Sequence, residues 1–156
     1  MKSDTEYLRL TMEIAKESRA AGNHPFGALL VGPEGEVLIS SGNTYARDRG
    51  VGHAESNVAR AAALQYDPAF LEQCMLVTSV EPCCMCSGAC YWAGIGTVVF
   101  GLSESRLDEM TGDNPKNLTL NLSCRQVFAA GRRNVAVRGP YLELEEEIVK
   151  DHKDFW

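Results

Sequence analysis

Residues 82–86 read Pro-Cys-Cys-Met-Cys, and thirty positions before Cys83 the chain reads His53-Ala54-Glu55. Such a cysteine cluster can be a disulfide, a metal site, a Cys-x-x-Cys redox pair or small apolar side chains in a core. If a helix begins at Pro82, a favoured place for proline, Cys83 and Cys86 share one face of its first turn. There the free backbone N–H groups and the helix dipole favour thiolates. Cys84 points away from that face. Two thiolates need a third ligand, and His53, at the start of a second Ala-rich helix, is the candidate. A His-Cys-Cys set with one position left for water is the pattern of a catalytic zinc, whereas structural zinc sites use four protein ligands. Glu55 could then carry protons for a water whose pKa zinc lowers from 15.7 towards about 7. Spacing alone does not aim it at the metal, because positions i and i+2 of an ideal helix face roughly opposite ways. A redox pair at Cys83 and Cys86 leaves His53 and Glu55 unexplained. Cys74, Cys84, Cys90 and Cys124 read as buried hydrophobes, with Cys90, one turn after Cys86, the nearest rival donor.

The elements that must position these groups follow from the hydrophobic pattern. Ser3 and Glu6 form a capping box ahead of a helix over Asp4 to about Ala21, with Tyr7, Leu8, Thr11, Met12, Ile14 and Ala15 at helical spacing. Phe26–Val31, the turn Gly32–Gly35 and the run Val-Leu-Ile-Ser-Ser-Gly predict a β-hairpin. Next come a helix over His53–Gln65, a buried strand over Cys74–Val80, the cysteine helix ending at Gly94, and a strand over Thr97–Gly101. A helix over Ser123–Ala130, a fifth strand over Asn134–Arg138 and a terminal helix from Tyr141 complete the chain. Strands alternating with helices imply an α/β layer structure with right-handed parallel crossovers. The stretch 104–120, with Thr-Gly-Asp-Asn-Pro-Lys-Asn at its centre, reads as an irregular and functional loop.

The bulk numbers narrow the partners. A chain of 156 residues fits one domain, spanning 1–156, and can bury a core without staples. Its start shows no signal-type run and no stretch approaches a membrane span, so the expectation is a cytoplasmic protein with reduced cysteines, which favours metal or catalytic use. The formal charge is −6, from 15 Lys+Arg against 21 Asp+Glu, which disfavours a nucleic-acid partner. Gly131–Arg138 is the one basic stretch.

His53-Ala54-Glu55 with Pro82-Cys83-Cys84-Met85-Cys86 resembles the H-x-E…P-C-x-x-C signature of the cytidine-deaminase-like zinc deaminases. The likeness extends to His-Pro-Phe-Gly-Ala-Leu-Leu-Val, Ser-Gly-Asn-Thr-Tyr and Cys-Tyr-Trp-Ala-Gly-Ile, and is strongest to the nucleobase and tRNA-adenosine branch, guanine deaminases in particular. It implies a three-layer α/β/α fold with a mixed five-stranded sheet. It implies one Zn2+ on His53, Cys83 and Cys86, with Glu55 as the proton carrier. It implies a substrate pocket formed by Asn43, the Ala54 backbone N–H, Phe26 and Trp92, with Phe155 and Trp156 as an aromatic tail over it. The activity implied is hydrolytic removal of an exocyclic amine from a small free nucleobase or nucleoside. Guanine comes first, cytosine or a related aminopyrimidine or aminotriazine second. A homodimer is also implied.

The plainer readings remain beside these. Asn43 could be a turn residue, Phe26 and Trp92 core aromatics, and His24 a surface-loop residue. Phe155 and Trp156 are too apolar to leave in water, and they dock on the site or on a partner subunit. Two rival functions stand at this stage: a tRNA adenosine deaminase, and a non-catalytic module whose structural zinc takes a fourth ligand from Cys84 or Cys90.

Overall fold

The computed structural model describes residues 1–111 and 113–156. Gly112, in the middle of the stretch expected to be irregular, lies outside the described residues. Helix α1 (Asp4–Ala20) begins at the Ser3–Glu6 capping box, with both reciprocal hydrogen bonds present. It ends where Gly22 takes the left-handed backbone that favours glycine (φ 91°). Strands β1 (Gly27–Val31) and β2 (Val37–Gly42) form the hairpin. A short helix α2 (Tyr45–Asp48) and a 3-10 turn (Arg49–Val51) lead to α3 (Ala54–Gln65). Helix α4 (Pro68–Leu71), capped by Asp67, precedes β3 (Met75–Val80). The rest runs α5 (Cys84–Ala93), β4 (Thr97–Leu102), α6 (Glu104–Thr111), α7 (Cys124–Ala129), β5 (Ala136–Arg138), a 3-10 turn (Leu142–Leu144) and α8 (Glu145–His152).

The sheet order is β2-β1-β3-β4-β5, with β1 antiparallel to both β2 and β3, and β3, β4 and β5 parallel. The mixed five-stranded sheet is as expected. Side chains of successive strand residues leave opposite faces, and each face carries its own core. Ala28, Leu30, Leu76, Val98 and Phe100 meet the helices α3, α5 and α7. Leu29, Val31, Val77 and Val99 meet Tyr7, Leu8, Leu144 and Ile148 of the opposite layer. The result is three layers, with the metal-ligand candidates on one side.

Two expectations are corrected here. The segment 104–120 is not irregular throughout, because α6 occupies its first half. Ser103 Oγ accepts the Arg106 N–H at 3.1 Å and starts that helix, and Leu107 and Thr111 bury its inner face. Pro82 is not the first residue of α5: Cys83 is the N-cap in extended conformation (ψ 173°) and the helix begins at Cys84.

Candidate metal centre and active site

Helices α3 and α5 begin side by side at one end of the sheet. His53 is the N-cap of α3 and Cys83 the N-cap of α5, both with extended backbone, while Cys86 sits on the first turn of α5. The His53 Nδ1 lies 3.5 Å from the Cys83 Sγ and 3.3 Å from the Cys86 Sγ, and the two sulfurs are 3.6 Å apart. A tetrahedral zinc with bonds of about 2.3 Å to sulfur and about 2.0 Å to nitrogen needs S···S near 3.8 Å and S···N near 3.5 Å. The triangle fits that ion without rearrangement. The two thiols share one proton unequally: the Cys83 thiol is pulled down to about 4, first by the hydrogen bond from Cys86 and then by His53, while that same hydrogen bond and burial push Cys86 up. Among the described residues this three-member group gains no fourth His, Cys, Asp or Glu. Cys90 is fully buried on the inner face of α5, and burial holds it as a neutral thiol. A four-ligand structural site built with Cys84 or Cys90 therefore finds no support.

Glu55 solves its facing problem through the cap. Because His53 is extended rather than helical, the rule that i and i+2 diverge does not apply, and both side chains line one cleft. Glu55 is 5% exposed. Burial raises its pKa, while the Thr78 hydroxyl, donating to Oε1 at 2.6 Å, partly offsets that rise. A buried carboxyl whose pKa is drawn upward suits reversible proton transfer near neutrality.

The cleft is tight, with a cavity volume of about 40 Å³, and it opens into a wider outer mouth that shares His24, Asn43, His53 and Cys83 with it. Phe26, Asn43, Ala54 and Val80 line it with His53, Cys83 and Glu55. Asn43 is oriented by its surroundings: Oδ1 accepts the backbone N–H groups of Tyr45 at 2.8 Å and His24 at 3.3 Å. Its carboxamide NH2 is thereby left as the group offered to the cleft. Asn57 braces the loop, donating to Thr44 Oγ1 at 3.0 Å, and Ser18 Oγ donates to the Asn43 carbonyl at 3.0 Å. Ala54, first residue of α3, has a backbone N–H with no partner one turn back.

The other aromatic candidates sit further out. Trp92 is 79% exposed on the outer surface of α5 and lines no part of the cleft. Six residues past Cys86 at about 100° each, it faces some 120° away from the metal side. Phe155 and Trp156 form a layer behind the cleft wall. Trp156 packs edge-on against His24 (5.2 Å between centroids) and tilted against Phe26 (6.1 Å), and its indole N–H donates to His152 Nδ1 at 3.0 Å. Phe155 meets His24 edge-on at 5.4 Å.

Six lining residues escaped the sequence reading, the apolar Val80 and Leu107 and the polar His24, Glu81, Glu104 and Asn117. His24 does lie on the loop between α1 and β1, but it is half-buried: it stacks on Tyr45 at 4.4 Å, and burial lowers its pKa. Glu81 spends both carboxylate oxygens on backbone, accepting Glu104 N–H at 3.1 Å and Cys124 N–H at 2.8 Å. Burial raises the Glu104 pKa to about 8, with Cys83, Glu55 and Glu81 adding to it. The Glu-Pro-Cys sequence was the available signal for Glu81; Glu104 had none outside a recognised helix start.

A family model described as the cytidine and deoxycytidylate deaminase zinc-binding region matches residues 1–102. The chain belongs to that family. This zinc-deaminase chain is 36% identical over 156 residues to a probable cytosine deaminase of Schizosaccharomyces pombe, covering 99% of this chain and 93% of the relative. It is 35% identical over 109 residues to the guanine deaminase of Bacillus subtilis, covering 68% and 70% of the two chains. A solved guanine deaminase from Nitrosomonas europaea superimposes with a TM-score of 0.70 at 22% identity, over 96% of this chain and 81% of that one, which establishes the shared fold. Family membership and the donor triangle agree on zinc as the ion that His53, Cys83 and Cys86 could hold, and they make the chain an enzyme of the deaminase kind.

Proposed function

We propose that the whole chain is a single deaminase domain that hydrolyses the exocyclic C–N bond of a small free nucleobase, leaving a carbonyl and ammonia. The observation that carries the reading is the convergence of the His53–Cys83–Cys86 triangle and the buried Glu55 on one small cleft. Zinc bound by these ligands would supply Lewis acidity and a coordinated water of pKa about 7. The rest falls to the chain. Glu55 takes a proton from the nucleophile, delivers it to the ring nitrogen beside the reacting carbon, and then assists departure of the amine. Thr78 holds the carboxyl in place through the 2.6 Å hydrogen bond. The Asn43 amide and the Ala54 N–H are donors suited to a ring carbonyl, and Phe26 supplies an apolar wall that limits the ring's freedom.

A donor amide from Asn43 favours a base with a ring carbonyl. Guanine and cytosine have one, and the whole-length similarity to a probable cytosine deaminase sets cytosine beside guanine. The formal charge of −6 weighs against a tRNA substrate. Among the described residues no helix is long and apolar enough to cross a membrane, and a cytoplasmic location belongs to this reading. So does a homodimer, with the exposed Trp92 as a contact. The test is ammonia release by zinc-loaded protein from a panel of aminopurines and aminopyrimidines, as bases and nucleosides. Turnover of guanine or cytosine is expected; no turnover of any member overturns the reading.

A further inference from the structure

Glu104 is a buried acid that the chemistry above does not use. It opens α6 one residue after β4 and is 6% exposed; among the described residues no hydrogen bond reaches its carboxyl group, whose oxygens are not among the fully enclosed unpaired atoms and so face the cleft. It lines the cleft with Glu55, Asn43 and His53, and also the cleft's outer mouth with Lys116 and Asn117. It lies outside the metal-ligand group. Its position is nonetheless fixed, because its backbone N–H is held by Glu81, two residues before Cys83, and the other Glu81 oxygen holds α7.

Holding a carboxyl on a narrow cleft wall near other acids, with no donor from the chain, is costly. Glutamate is a poor choice for packing alone at a position so firmly held. From the cleft a donor can reach it. The cleft then offers complementary groups: the Asn43 NH2 as donor and the Glu104 carboxyl as acceptor. A ring carrying both a carbonyl and an N–H, a lactam, satisfies the two together, whereas a ring without an N–H leaves Glu104 unpaired. Sites that hydrogen-bond a substrate N–H reject analogues lacking it far more strongly than apolar sites reject a missing methylene.

We infer that Glu104 is a binding residue that accepts a hydrogen bond from a ring N–H of the base and so makes the cleft selective for unsubstituted lactam bases. The inference rests on the nucleobase-deaminase reading of the same cleft. It is tested with wild type, Glu104→Gln and Glu104→Ala against cytosine and guanine, and against 1-methylcytosine, 1-methylguanine and 9-methylguanine, each of which lacks one ring N–H. In wild type, at least one methylated analogue should lose kcat/KM about 10–100-fold against its parent. Glu104→Ala should lose a similar factor on the parent, carried by KM, and little on that analogue. Glu104→Gln, which keeps the shape and an acceptor oxygen, should fall between, with zinc content unchanged in both variants. Equal losses on parent and methylated bases, or no loss, would overturn the assignment. Calorimetric binding of the lactam products uracil and xanthine separates the two claims. Binding that depends on Glu104 without turnover of any base keeps the residue's role and removes the deaminase. Turnover with binding indifferent to Glu104 does the reverse.

Discussion

The Ser56 hydroxyl donates to the Cys86 sulfur at 3.1 Å. Ser56 follows Glu55 on the first turn of α3, so the helix that carries the proton carrier also supports a ligand on α5. A hydrogen bond to a thiolate drains charge from the sulfur and fixes its direction, and outer partners of this kind are worth about 10–100-fold in metal affinity or activity. Ser56→Ala should release zinc to a chromogenic chelator about tenfold faster and shift the thiolate-to-metal band of the cobalt-substituted protein, while Ser56→Thr should restore both. Identical release and spectra in all three proteins would show the contact to be idle.

Glu55→Gln keeps the volume and the Thr78 contact but cannot accept a proton. Turnover should fall by about 10²–10⁴-fold with zinc still bound. Elemental analysis beside the ammonia assay checks this; a variant that loses its zinc, or keeps its rate, contradicts the role.

Removing the ion should abolish turnover, and added zinc should restore it. Cys83→Ser and His53→Ala should bind less than about a tenth of the wild-type metal at equal total zinc, since each removes one of three ligands. Cys84→Ser, which alters no member of the triangle, should bind the normal amount. Mass spectrometry under non-denaturing conditions reads all three; full metal loss in Cys84→Ser would mean that the ligand set is wrong.

His152 is 3% exposed, and burial pushes its pKa down to about 4, with Arg19 adding to the shift. The unfolded chain, with a histidine near 6.5, takes up this proton first as pH falls. Stability is therefore full above about pH 6.5 and declines on acidification towards pH 4, by up to roughly 3 kcal/mol. Melting temperatures between pH 7 and 4.5 should fall more steeply in wild type than in His152→Gln, which does not titrate and still offers an acceptor to the Trp156 indole. Parallel curves would remove His152 as the cause.

Trp156→Ala removes a side chain that packs on His24 and Phe26 without lining the cleft. The expected cost is about 1–3 kcal/mol, less than for a fully buried tryptophan. KM should rise several-fold with kcat and zinc content nearly kept. A collapse of kcat with KM unchanged would instead place the indole at the reacting base.

The parts of the fold that the sequence made legible were those with local grammar. The Ser3 and Ser123 capping boxes, the hairpin turn and the buried strands each announce themselves within a few residues. The metal triangle was legible because three rare ligand types stood at two helix starts. Helix α6 was not, since its charged sequence (Glu-Ser-Arg-Leu-Asp-Glu) runs into Gly-Asp-Asn-Pro, and only Leu107, Met110 and Thr111 mark a buried side. Missing that helix meant missing Glu104. Trp92 misled for a geometric reason: proximity to Cys86 in sequence says nothing of direction until its angle around α5 is counted. Phe155 and Trp156, expected over the site or on a partner subunit, are half-buried against His24 and Phe26, a layer visible only once α8 is folded back against α1.

Arg19, near the end of α1, clasps that returning tail by donating to the carbonyls of Asp151 at 2.8 Å and Lys153 at 2.7 Å, and its guanidinium lies 5.4 Å from the Phe155 ring centre. The last residues are thus structural stock, two layers from the reacting atoms. Any change that pulls residues 153–156 off this clasp would tug on the brace behind His24 and Phe26 and register as an apparent defect in base affinity, although it touches no reacting group.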